Sequence, residues 1–73
     1  MAQSEVAQLR QRIMEEYEAM KRGLTGFACG STKHAFIDAR MHRVDGYHDQ
    51  LTQYVGAQEA TQTVCELYIE IMG

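Results

Sequence analysis

The chain reads as an all-α protein: a helical hairpin followed by a C-terminal helix, in one small domain spanning residues 1–73. Three observations lead there. None of the 73 residues is proline, so nothing removes a backbone donor or clashes with a preceding helical turn. Apolar residues recur at spacings of three and four through most of the chain, the period of a helix with one buried face. Glycines at 23, 26, 30 and 56 divide that pattern into three runs.

The first run predicts a helix over residues 4–22. Ser4 is suited to cap it, and Val6, Leu9, Ile13, Tyr17, Met20 and Leu24 form a narrow stripe that fits one groove. Residues 23–31 then read as the loop, with three glycines to supply turn conformations. Phe27 is expected to fold back over an end of the core, and Ser31 or Thr32 to cap the next helix.

The second helix is expected over residues 32–55. His34, Ile37, Met41, Val44, His48, Leu51 and Val55 alternate spacings of three and four, which is a heptad seam. Phe36, Tyr47 and Tyr54 widen it to an apolar arc of roughly 160°, enough to meet two neighbouring helices. Gly46 lies on the opposite face, either tolerated there or allowing a close backbone approach.

The seam shifts phase at Gly56. Ala57, Ala60, Val64, Leu67 and Ile71 continue on a rotated face, which favours a bend or short turn over one continuous helix. The third helix is expected over residues 57–72, with Glu59 favouring its N-terminus. Its last nine residues also alternate as a strand would, but a strand needs partners that this chain lacks.

A chain this short buries only about 60% of its unfolded surface. Its composition is 45% hydrophobic, and the last segment is apolar around most of its circumference. Both facts point to a homodimer or larger assembly closing over Ile37, Met41, Val44, Leu51, Val55, Val64, Leu67, Tyr68 and Ile71. Another protein is the second partner to consider. Two cysteines are too few for a disulfide scaffold, no apolar run reaches membrane length, and no secretory leader is expected. A cytoplasmic setting is expected.

The expected function is non-catalytic: a protein–protein interaction or assembly module rather than an enzyme. Two alternatives come from other chemistries. All three histidines and all three aspartates fall between His34 and Asp49, with His34, Asp38, His42, Asp45, His48 and Asp49 along one helical flank. Imidazole and carboxylate are ligands of zinc and iron, and Asp45 with His48 has the carboxylate-x-x-His spacing of helical di-iron sites. His34, Asp45 and His48 could therefore hold a metal, completed by Glu15, Glu16 or Glu18 and a second copy. The structural reading of the same flank, a solvated row of weak ion pairs, is preferred.

His34 and His48 also sit on the heptad seam, where charging at mildly acidic pH would weaken an apolar contact. The plainer reading leaves each at the margin with one nitrogen in water. Gly30-Ser31-Thr32-Lys33 superficially resembles a phosphate loop but lacks its residue order and reads as a helix start. Cys29 reads as a small loop residue, and Cys65 as core or interface.

Lys33, Arg40 and Arg43 make part of the second helix basic, which is the case for a DNA-associated regulator. A formal net charge of -3 opposes that reading. Arg40 is better placed to pack beside Phe36, Tyr47 and Leu51 and pair with a helix-1 carboxylate such as Glu16.

Overall fold

The computed structural model describes residues 4–26 and 30–73, the side chains of residues 25, 26 and 31 excepted. Among these residues there are three helices and no strand: α1 (Glu5–Gly26), α2 (Gly30–Val55) and α3 (Ala57–Met72). Every pair of helices is in contact. The molecule measures 40 × 26 × 19 Å, and the 26 residues of α2 account for its long axis at about 1.5 Å per residue.

Ser4 caps α1 as expected, its Oγ accepting from the backbone N–H of Ala7 at 3.1 Å. The helix does not stop at residue 22. It runs through Gly23 to Gly26, and α2 already begins at Gly30, so much of the expected loop over residues 23–31 is helical. Residues 31 and 32 lie within the first turn of α2 rather than before it. The expectations for Phe27 and Cys29 fall outside the described residues.

Gly23 persists within α1 because the Phe36 ring of α2 lies against its backbone. A Cβ at position 23 would stand 2.5 Å from Phe36 Cε1. The same ring carries the Arg40 guanidinium 5.1 Å from its centroid, within cation–π range. Arg40 then donates from Nη1 to Glu16 Oε2 at 2.9 Å, and Arg43 Nη1 is 3.7 Å from Glu16 Oε1. Gly23, Phe36, Arg40 and Glu16 thus form a tie between α1 and α2, which the two contact pairs show to be antiparallel.

Gly56 makes the second reversal alone. Its φ of 89° and ψ of 160° lie where glycine is comfortable and other residues are strained. Its N–H still donates to Thr52 O at 2.9 Å, and its own carbonyl accepts from Ala60 N–H at 3.0 Å. One residue therefore ends α2 and starts α3 with both backbone groups paired. The expected bend at Gly56 is present, and α3 returns along α2, where His48 and Thr61 share a side-chain hydrogen bond of 2.9 Å.

The core comprises Leu9, Ile13, Tyr17 and Met20 from α1, Val44 and Leu51 from α2, and Ala60 and Leu67 from α3. Val6, Phe36, Ile37, Tyr47, Val55, Val64 and Ile71 pack partly buried around it. Burying a side chain such as Leu51 or Leu67 contributes about 1.5–3 kcal/mol, and that gain drives the folding back of α3. Among the described residues no helix is long and apolar enough to cross a membrane.

Candidate functional site

The site grows out of what the core leaves uncovered. α2 sends Val44 and Leu51 straight to the centre, Phe36 and Arg40 toward α1, and Met41 and His48 toward α3. α3 sends Ala60 and Leu67 inward. Its outer side carries Cys65 and Ile69, with Val64 and Tyr68 between. The result is an apolar groove of about 380 Å³ along the α2–α3 seam, lined by Tyr17, Met41, Val64, Cys65, Tyr68 and Ile69.

Tyr17 forms the floor. It is 1% exposed, and Tyr68 meets its ring edge-on with centroids 5.5 Å apart. Burial pushes the Tyr17 phenol above its ordinary value of 10.0, and nearby Cys65, Tyr68 and Asp45 act in the same direction. The walls are open: Met41 is 38% exposed, Tyr68 47% and Ile69 67%. Among the described residues, three of the four large hydrophobic side chains that are exposed line this one groove, the fourth being Tyr54.

The nine residues expected at an oligomer interface divide into groups. Val44, Leu51 and Leu67 are buried in the chain's own core. Ile37, Val55, Val64 and Ile71 are half-buried against it. Met41 and Tyr68 are exposed and stand together in the groove. Ile69 and Cys65 join them there. Cys65 is exposed rather than part of the core. Ile69 was not among the expected interface residues; helical spacing puts it on one face with Cys65, Tyr68 and Met72 but does not tell that face from the core side.

The His/Asp flank is distributed along α2 rather than gathered. His34, Asp38, His42, Asp45 and Asp49 are exposed, and His48 is half-buried. His42 donates from Nδ1 to the Asp38 carbonyl at 2.8 Å. His48 Nδ1 lies 3.8 Å from Asp49 Oδ1, too long for a hydrogen bond. Among the described residues no three His, Cys, Asp or Glu side chains come close enough to hold a metal ion. His34 and His48 alone are separated by about 21 Å of helix. Glu16 is committed to Arg40 and Arg43.

The basic trio is likewise dispersed. Arg40 is tied to Glu16 beneath Phe36, with its side chain 28% exposed, while Lys33 is half-buried and Arg43 more open. The expected Arg40–Glu16 pairing is therefore present.

No protein-family model, no curated protein and no solved structure matches this chain.

Proposed function

We propose that the chain is a small non-catalytic protein–protein interaction module that works through the α2–α3 groove. One observation supports this reading above the others: Met41, Tyr68 and Ile69 stand exposed together in a groove with a wholly apolar lining. Exposing large side chains in one contiguous patch is costly for a free protein and is the usual mark of a docking surface. Self-association is one use of such a surface. It would draw on this groove, because Val44, Leu51 and Leu67 are already enclosed by the chain itself.

The test is an NMR titration with an uncharged amphipathic helical peptide, alongside sedimentation of the free chain. Shifts confined to Met41, Val64, Cys65, Tyr68 and Ile69, and lost in Ile69→Asp, support the reading. A sedimentation mass of twice 8.3 kDa that Ile69→Asp reduces to one chain supports it with a second copy as the occupant. No binding together with a single-chain mass at every concentration would remove it.

A further inference from the structure

We infer that the occupant of the groove is an amphipathic helix carrying Lys or Arg beside its apolar stripe. This deepens the interaction-module reading and rests on it.

The charge of the chain is segregated. All seven Lys and Arg residues lie at or before Arg43, whereas Asp45, Asp49, Glu59, Glu66 and Glu70 follow with no basic residue among them. The groove belongs mainly to this acidic part. Asp38 and Asp45 lie three residues before and four after Met41, so both neighbour it on the α2 surface. Asp45 is also near enough to the floor to act on the Tyr17 phenol. On the far side of the groove Glu66 lies three residues before Ile69, accepting a hydrogen bond from Gln62 at 3.1 Å. The nearest arginines in sequence, Arg40 and Arg43, turn to Glu16 instead. An apolar strip is thus bounded by carboxylates on both sides.

That pattern selects among occupants. A second copy presenting the same groove about a two-fold axis would set carboxylates against carboxylates and gain no compensating cation. An anionic lipid surface meets the same repulsion. An extended segment would bring backbone N–H and C=O groups against a lining with no hydrogen-bonding edge, whereas a helix satisfies its own. A helix with a hydrophobic stripe fits between two helices by side-chain packing alone. Lys or Arg at its margins would face Asp38 and Asp45 on one side and Glu66 on the other.

The experiment uses three helical peptides with one shared apolar stripe, flanked by Lys, Gln or Glu. Binding to the full chain is measured by fluorescence anisotropy at low and high salt. The Lys-flanked peptide is expected to bind about ten-fold more tightly than the Glu-flanked one at low salt, an advantage that shrinks as salt rises. Asp38→Asn with Asp45→Asn weakens the Lys-flanked peptide several-fold and leaves the Gln-flanked one unchanged. Ile69→Asp abolishes binding of all three, although its added carboxylate would strengthen a purely electrostatic attachment. These positions are exposed, and circular-dichroism melts confirm that each variant stays folded.

Equal binding of the Lys- and Glu-flanked peptides overturns the inference and leaves the interaction module standing. So does a wild-type dimer that Ile69→Asp dissociates and no peptide enters. Retention of the Lys-flanked peptide by Ile69→Asp overturns the groove as its seat. Failure of every peptide on a monomeric chain removes both readings.

Discussion

Glycine has opposite meanings at two positions in this chain, and the difference is testable one residue at a time. At Gly46 a Cβ would meet nothing within 4 Å among the described residues, and the position is exposed on mid-α2. The sequence leaves open whether Gly46 permits a close approach; the structure shows none. Gly46→Ala is therefore expected to stabilise the fold by about 1 kcal/mol, read as a higher urea midpoint with an unchanged slope. Glu16 is the converse case, a polar residue that the core depends on. Its carboxylate is 9% exposed and serves both Arg40 and Arg43. Removing it leaves the Arg40 guanidinium under Phe36 without its closest anion. Glu16→Ala should cost about 1–3 kcal/mol, measured by equilibrium denaturation, and Arg40→Met in the same background should recover part of that loss.

At the scale of elements, periodicity says which face of a helix is apolar but not which neighbour covers each shoulder. The α1 stripe of Leu9, Ile13, Tyr17 and Met20 and the phase change at Gly56 were legible for that reason. So was the Arg40–Glu16 pair, because an arginine beside an apolar arc needs a carboxylate within reach. Gly23 was misleading: as punctuation it marks a helix end, whereas a packed Phe36 ring makes it an interior residue. Cys65 and Ile69 could not be assigned from α3 alone, since that helix is apolar nearly all round. Only the placement of Met41 and Tyr17 across from them distinguishes groove from core. Two substitutions one turn apart or less separate those environments. Leu67→Asp places a charge in the core, 2% exposed in the wild type, and should unfold the chain. Ile69→Asp should shift stability by no more than about 0.5 kcal/mol, both followed by circular-dichroism melts.

For the molecule as a whole, the Tyr17 floor links the groove to global stability. Its phenol titrates above 10.0 when folded because burial disfavours the phenolate, while the unfolded chain ionises it at the ordinary value. Between those two values the unfolded state has lost a proton that the folded state keeps, so stability falls as pH rises through and beyond about 10. Denaturation midpoints measured across that range should decline, and Tyr17→Phe should flatten the decline. A helix docked over Tyr68 and Ile69 would raise the Tyr17 phenol further, so the decline would still begin near 10, where the unfolded chain ionises, but continue to higher pH.

The reversal at Gly56 carries a liability for the three-helix fold. One residue, in a conformation that L side chains resist, makes the turn between α2 and α3, which if straightened would fuse into a single rod about 65 Å long. Gly56→Ala costs about 1–3 kcal/mol in the hairpin form and nothing comparable in the rod. A straightened chain would strip Ala60 and Leu67 from their own bundle, and a second such chain could supply the missing α3. Domain swapping of that kind turns a strained hinge into a dimer. In concentrated Gly56→Ala samples it should appear as a slowly exchanging species of double mass on size-exclusion chromatography.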